Sequence, residues 1–385
     1  GEEKIKIQIL QGDCIESLKK LEDQSINTCI TSPPYWGLRN YNDEEKQLGM
    51  EDTPEEFVEN LVKVFREVKR VLRDDGTVWL NLGDSYSSGG RTTTTNQSLR
   101  GDKDYGVTRP KPSKEIKPKD LIGIPWRVAL ALQQDGWYLR QDIIWHKPNP
   151  MPESVKDRCT KAHEYIFLLS KSPKYYFDNE AIKEDSKYHG KDKRSDKGNI
   201  RYEGKRTSNK DTKAQQSFVT INPKKNKRSV WTITTKPFKA AHFATFPMDL
   251  IEPCVLAGCP EKICVDCGKP YERVMQKPKQ LEVERNKRSG LDDRKVGGVL
   301  DKYNRENPPI DLGLQKQCDC ETNETKPGTA LDPFAGSGTT GIVAVNHNRN
   351  AVLLELNEEY IEIAKERINK QAGMFVELEI KEKGN

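Results

Sequence analysis

The sequence predicts an α/β fold built around a mostly parallel β-sheet. Short apolar runs typical of buried strands alternate with segments of helical periodicity in both halves of the chain. The 385 residues, 34% of them apolar, can build a real core, whereas 32% charged residues and a mean hydropathy of -0.84 indicate much surface and loop. Two motifs, TSPPYW at 31–36 and LDPFAGSGTT at 331–340, each follow a predicted strand. Both are therefore expected at the sheet edge where α/β proteins place their sites.

The N-terminal part contains the clearest helix signal. Thr53 is a suitable N-cap, Pro54 a suitable first helical residue, and Glu56 completes a capping box. Apolar residues then recur at helical spacing as far as Leu72, which predicts one buried face. Strands are predicted at 5–10, 27–31, 77–82, 138–145 and 164–169, and helices at 14–21, 54–72 and 121–134. Residues 85–119 are rich in small and polar residues and predict a long loop.

The alternation of strands and helices resumes near the C-terminus. Helices are predicted at 246–257, 340–346 and 358–370, and strands at 329–331 and 351–356. A basic segment and a cysteine-bearing segment separate these elements from the N-terminal ones. Residues 184–228 contain fourteen Lys or Arg and six Asp or Glu, a net charge of +8, whereas the rest of the chain carries a net charge of −3. Two interpretations remain open: a solvated loop, or a surface that binds a polyanion.

The loop DPFAGSGTTG has the composition of a ligand-binding turn. Gly336, Gly338 and Gly341 lie between a strand and a helix, where they permit a sharp turn and a close approach to the helix N-terminus. Glu355 ends the next strand, where a carboxylate can accept hydrogen bonds from ribose hydroxyls. The loop has no P-loop lysine and no GxGxxG spacing, so a phosphate-free nucleoside such as S-adenosylmethionine fits best.

Three further residues are candidates for the same cofactor. Asp332 is expected near the cationic methionine end, with Phe334 packing against the ligand. Asp13 follows the first strand and can accept a hydrogen bond from the adenine amine, but it is equally suited to cap the next helix.

The motif SPPY suits recognition of an amino group. Pro33 and Pro34 lack N–H donors and make the turn rigid, so it presents acceptors to a ligand. The Ser32 hydroxyl and the Pro33 carbonyl can accept the hydrogens of an exocyclic base amine, and Tyr35 offers a face for stacking. The sequence therefore predicts direct methyl transfer to a nucleobase amine, with rate enhancement mainly from positioning.

Four of the nine cysteines are spaced like metal ligands. They form the pairs Cys264-x2-Cys267 and Cys318-x-Cys320, and Gly268 follows the first pair as in a zinc knuckle. Structural zinc is expected here, with free thiols in a loop as the alternative. Without a secretion signal, a disulfide framework is not expected.

These motifs together resemble the amino-group DNA methyltransferases, specifically the permuted β-group in which the catalytic motif precedes the cofactor motif. The resemblance covers residues 5–172 and 246–369. It implies a circularly permuted class I fold with a seven-stranded, mostly parallel Rossmann-like sheet. The SPPY form resembles cytosine-N4 enzymes, whereas adenine-N6 enzymes more often carry Asp or Asn in place of Ser32. The implied catalytic residues are Ser32, Pro33, Pro34 and Tyr35, and the implied cofactor residues are Asp13, Phe246, Pro247, Asp332, Phe334, Gly336, Gly338, Thr339, Thr340 and Glu355.

The expected domain organisation follows from the same comparison. Residues 1–175, 241–260 and 327–385 would form the catalytic domain, 176–240 a basic target-recognition segment, and 261–326 a zinc-binding insertion. The expected function is sequence-specific methylation of a flipped base in double-stranded DNA, at cytosine N4 or alternatively adenine N6. RNA methylation and an inactive nucleic-acid-binding protein remain as lesser alternatives. We expect an intracellular, cytoplasmic protein of a modification system, with a restriction endonuclease as a functional partner and no membrane association.

Overall fold

The structure is a computed structural model that describes residues 4–36, 48–87, 116–186, 224–235, 246–277, 303, 307–372 and 376–381. The chain divides into two compact units. Unit 1 consists of Gly1–Ala181, Arg228–Glu272 and Lys316–Asn385, and unit 2 consists of Ile182–Lys227 and Arg273–Gln315. The predicted loop at 85–119 and the basic segment lie largely outside the described residues.

The N-terminal elements follow the predicted order, with ends shifted by a few residues. They are β1 (Ile5–Gln11), α1 (Cys14–Lys19), β2 (Ile26–Thr31), α2 (Pro54–Val71), β3 (Leu72–Leu82), α3 (Ile124–Gln134), β4 (Tyr138–His146) and β5 (His163–Ser170). The cap of α2 forms as predicted, because the Thr53 hydroxyl oxygen accepts a hydrogen bond from the Glu56 N–H at 3.2 Å. The helix ends where Leu72 adopts an extended conformation, and β3 begins directly there.

The later elements are those predicted from the sequence together with several short strands that were not predicted. They are β6 (Glu184–Asp185), β7 (Lys224–Lys225), β8 (Val230–Thr232), α4 (Met248–Gly258), β9 (Ile263–Cys264), β10 (Glu272–Gln276), β11 (Ile310–Gln315), β12 (Thr325–Lys326), β13 (Thr329–Asp332), α5 (Thr339–Asn346), β14 (Asn350–Glu355), α6 (Glu358–Ala372) and β15 (Val376–Lys381). Among the described helices, none is long and apolar enough to cross a membrane.

One nine-stranded sheet organises unit 1. Its order is β15-β1-β14-β13-β2-β3-β5-β4-β8. From β15 to β3 neighbouring strands are parallel, whereas β5 runs antiparallel to both β3 and β4. The seven strands from β1 to β4 confirm the expected Rossmann-like sheet, and β15 and β8 extend its two edges.

Helices cover both faces of this sheet. On one face α1, α2 and α3 pack in sequence, and Phe57 and Phe65 of α2 are fully buried there. On the other face α5 packs between α4 and α6, over the strands that carry the glycine loop. The strand ends of β1, β14, β13 and β2 are thus held at one edge of a rigid two-sided core.

Candidate active site

The two motifs noted in the sequence lie side by side. β2 pairs in parallel with β13, with Cys29 opposite Leu331, so TSPPYW and DPFAGSGTT begin at neighbouring strand ends. The Thr31 hydroxyl donates to Asp332 Oδ1 at 2.6 Å, and the Thr340 hydroxyl donates to Asp332 Oδ2 at 2.7 Å. Asp332 therefore connects the end of β2, the glycine loop and the first turn of α5.

Asp332 is a fully buried carboxyl group. Burial raises its pKa to about 6, and hydrogen bonds from Thr31, Thr340 and the Phe334 N–H oppose that shift. The group is still ionised at neutral pH, so it places a poorly solvated negative charge beneath the loop. Hydrogen bonds from Thr31, Thr340 and Phe334 hold this carboxylate in place at the end of β13.

The glycines of the loop serve different purposes. Gly336 has a φ of +50°, and a Cβ built on it would meet no atom within 4 Å, so open space borders its backbone. Gly338 has a φ of +76°, and a Cβ there would lie 2.8 Å from Ala364 of α6. A Cβ on Gly341 would lie 2.7 Å from Leu353 of β14. Gly336 thus leaves room for a ligand, whereas the other two permit close packing of helices and strand.

The acidic residue that ends β14 and the one that follows β1 are neighbours at this edge. Glu355 accepts hydrogen bonds from the Gly336 N–H at 2.7 Å and the Asn357 N–H at 2.9 Å. Burial raises the pKa of Glu355. The Gly12 N–H donates to the Glu355 backbone carbonyl at 3.0 Å, which places Asp13 beside it. A carboxylate has about four lone-pair sites, so Glu355 retains capacity for ribose hydroxyls.

Asp13 forms the N-cap of α1, in agreement with the structural alternative. Its Oδ1 accepts hydrogen bonds from Ile15 N–H and Glu16 N–H, both at 3.0 Å. In the described part of the chain, no donor contacts Oδ2. One oxygen is thus used by the cap, and the other remains for the predicted adenine contact.

The SPPY turn is held by a residue that sequence reasoning missed. The Tyr35 hydroxyl donates to Glu164 Oε2 at 2.8 Å, although the two residues are 129 positions apart. A Cβ on Gly83 would lie 2.6 Å from the Tyr35 ring, so Gly83 gives the ring its space. Ser32, Pro34 and Tyr35 are half-buried, whereas Pro33 is buried.

Glu164 belongs to a small polar network on β3, β4 and β5. Asn81 Nδ2 donates to Glu164 Oε2 at 3.3 Å, and Lys147 Nζ forms an ion pair with Glu164 Oε1. Lys147 Nζ also lies 4.1 Å from the centre of the Trp145 ring. No sequence signal marked Glu164, because its importance depends on antiparallel pairing of β5 with β3.

The remaining predicted cofactor residues lie on elements next to this edge. Pro247 is the buried N-cap of α4, which packs against β2, β3 and α5, and half-buried Phe246 precedes it. Thr339 is buried in the first turn of α5, and its hydroxyl accepts a hydrogen bond from Arg367 at 3.2 Å. Phe334 is half-buried against the core. Their contacts with a ligand stay predictions.

Away from the loop, the four predicted metal ligands come together. The Sγ atoms of Cys264, Cys267, Cys318 and Cys320 all lie within 4.8 Å of one another. All nine cysteines are free thiols.

The groups at these strand ends suit a phosphate-free nucleoside with a cationic tail. Gly336 leaves space for it, Glu355 offers acceptors, and Asp332 supplies the negative charge. No lysine of the P-loop type occurs in the loop. A parallel α/β sheet with this glycine loop beside an SPPY turn is the arrangement expected of a methyltransferase that acts on an amino group.

The chain belongs to the DNA methylase family, which it matches over residues 26–267 and 321–366. It is 39% identical over 361 residues to the type II methyltransferase M.Cfr9I of Citrobacter freundii, covering 94% of this chain and 87% of the relative. It is 40% identical over 364 residues to the type II methyltransferase M.SmaI of Serratia marcescens, covering 94% and 90%. The solved PvuII cytosine-N4-specific DNA methyltransferase is 15% identical, with a TM-score of 0.48 and coverage of 98% of each chain.

Proposed function

We propose that this protein transfers a methyl group from S-adenosyl-L-methionine to the exocyclic N4 amine of a cytosine flipped out of double-stranded DNA. The observation that carries the proposal is the adjacency of the two motifs, joined through Asp332 at the ends of β2 and β13. An amine acceptor and a methyl donor must meet at one point, and this junction brings their two binding turns together.

The chain's own residues bind and orient the two reactants. When bound, S-adenosyl-L-methionine supplies an electrophilic methyl group on a sulfonium. Glu355 would accept hydrogen bonds from the ribose hydroxyls, and Asp13 Oδ2 would accept one from the adenine amine. Asp332 would stabilise the cationic end. Phe246 and Pro247 would close over the methionine part from the start of α4.

The base amine would be activated by groups of the SPPY turn that accept hydrogen bonds from its N–H groups. The Ser32 hydroxyl has no hydrogen-bond partner within the described residues, and Pro33 contributes only a carbonyl. Both would accept hydrogen bonds from the amine and so orient the nitrogen lone pair towards the methyl group. The Tyr35 ring would stack on the base. Serine at this position, rather than Asp or Asn, supports cytosine N4 over adenine N6.

Target recognition is proposed for the basic residues 176–240. Their excess of Lys and Arg suits phosphate contacts, which position a protein on DNA without reading its sequence. A type II modification system would add a restriction endonuclease as a functional partner.

The test is chemical identification of the product. Plasmid DNA methylated by the purified protein is digested to nucleosides and analysed by mass spectrometry, with Ser32→Ala as the matched inactive control. N4-methylcytosine is expected from the wild type and is expected to be absent with Ser32→Ala. N6-methyladenine alone would overturn the choice of base, and no methylated nucleoside would overturn the proposed activity.

A further inference from the structure

We propose that Cys264, Cys267, Cys318 and Cys320 bind one structural zinc ion, which clamps together the two chain passages that lead to and from the 273–315 segment. In a tetrahedral site with Zn–S bonds of about 2.3 Å, neighbouring sulfurs lie about 3.8 Å apart. The four Sγ atoms lie within 4.8 Å of one another, so they already have nearly this spacing. Four thiolates fill the coordination shell of zinc, which makes the site closed and structural.

The first pair lies in a turn that is shaped like a zinc knuckle. Gly268 N–H donates to the Cys264 carbonyl at 2.9 Å, and Cys264 N–H donates to the Lys269 carbonyl at 2.9 Å. Gly268 has a φ of +68°, which a side chain would disfavour. The N–H groups of Cys267 and Asp266 point towards the Cys264 sulfur. Such N–H donors are typical outer-shell partners of metal-bound sulfur.

The second pair is held by a separate set of contacts. Lys316 Nζ donates to the Cys320 carbonyl and, at 2.7 Å, to the Thr322 carbonyl, which closes the loop that carries Cys318 and Cys320. Farther along, β12 pairs antiparallel with β9, with Thr325 opposite Cys264. The pairing of β9 with β12 therefore holds the chain segments that carry the two cysteine pairs next to each other.

The cluster stands at the start of the parallel strands and thus at the opposite edge from the cofactor cleft. β12 ends three residues before β13 begins, and a Cβ on Gly268 would lie 2.5 Å from Arg73 at the start of β3. The glycine loop follows the other end of β13. This location excludes the four cysteines from direct contact with the reacting groups.

The position of the cysteines along the chain explains what the ion would do. The second segment of unit 2 begins at Arg273, six residues after Cys267. It ends at Gln315, three residues before Cys318. A metal bound by both pairs closes a loop of about fifty residues at its base, which removes conformational freedom from the unfolded chain. All four ligands belong to unit 1, so the clamp fixes both passages on the same unit.

The first test is metal content. Untagged protein purified without chelators is expected to carry about one zinc per chain by inductively coupled plasma mass spectrometry. Cys264→Ser and Cys318→Ser are each expected to lose most of it, whereas the matched control Cys159→Ser, an exposed cysteine outside the cluster, retains it. Wild-type protein without metal would overturn the proposal, as would an intact mass that shows disulfides among the four cysteines.

The second test uses the wild-type chain and does not depend on the folding of variants. Zinc is displaced with a thiol reagent and chelator, the thiols are restored, and Co²⁺ is added. A tetrahedral cobalt–thiolate absorption spectrum supports the site, and a weak octahedral spectrum contradicts it. Hydrogen exchange is then compared with and without zinc. Peptides covering β9 and β12 are expected to lose protection, while those covering β13 and α5 keep it. Equal protection in both states would refute the clamp.

Discussion

The cofactor half and the base half of the site are held in different ways. The glycine loop is fixed mainly by partners that are near in sequence, since Thr340 and Phe334 bind Asp332 and Asn357 binds Glu355, and Thr31 adds a distant contact to Asp332. The SPPY turn instead depends on Glu164 of β5 and on the space left by Gly83. The cofactor half is thus built mostly from local contacts, and Thr31 links it to the base half. A pocket for a base that enters from outside is supported from several strands.

Among the variants that compare the two halves, the largest effect is expected from removing the stacking surface. Tyr35→Ala should lower the rate of methyl transfer by about 100-fold, because base–aromatic stacking contributes ~1–3 kcal/mol. The affinity for S-adenosyl-L-methionine should remain unchanged, since Tyr35 lies in the base half. Single-turnover kinetics and calorimetry measure the two effects. A parallel loss of cofactor affinity would show that the two halves are not separable.

A smaller effect in the opposite half is expected from Asp332→Asn. The change keeps the shape but removes the buried charge, so cofactor affinity should fall about 30-fold, or ~2 kcal/mol. The matched control is Asp249→Asn, an exposed acid in the first turn of α4. Cofactor affinity is measured by calorimetry. Equal affinity for both variants would show that Asp332 does not contribute to cofactor binding.

The raised pKa of Asp332 makes cofactor affinity depend on pH. Below its pKa of about 6 the carboxyl is protonated and loses the charge that attracts the ligand. Affinity should therefore fall about tenfold between pH 7 and pH 5. The folded protein holds this proton more tightly than the unfolded chain does, so the group's contribution to stability declines as pH rises from about 4 to 6.

Calorimetry in buffers of different ionisation enthalpy should detect proton release on cofactor binding near pH 6. Asp332→Asn should abolish both the release and this pH dependence. Persistence of either in the variant would assign it to another group.

The smallest effect is expected from Glu164→Gln. The Tyr35 ring keeps its place but loses a charge-assisted hydrogen bond, so the rate should fall about fivefold, which corresponds to ~1 kcal/mol. Tyr35→Phe should cost a similar amount, and the double variant should cost no more than either single one. Additive losses would mean that Glu164 does not act through Tyr35. Glu252→Gln, at an exposed acid paired with His347, is the control.

The sequence allowed prediction of most local elements and of the clustering of the cysteines. The cap at Thr53 and Glu56 is a short-range signal, and the strand and helix patterns are equally local. The edge strands β8 and β15 were missed, since one has only three residues and the other alternates half-buried and exposed residues with many charges. Glu164 could not be predicted, because its role arises only when β5 pairs with β3.

The hydrogen bond between Thr31 and Asp332 joins residues that are 301 positions apart. During synthesis, the ribosome therefore releases the SPPY motif long before Asp332, which bonds to the residue just before that motif. A growing chain that ends shortly after the SPPY motif does not yet contain the glycine loop. Contacts of such long range also form late in folding. The site can therefore assemble only after the residues around Asp332 have been made and have folded against the end of β2.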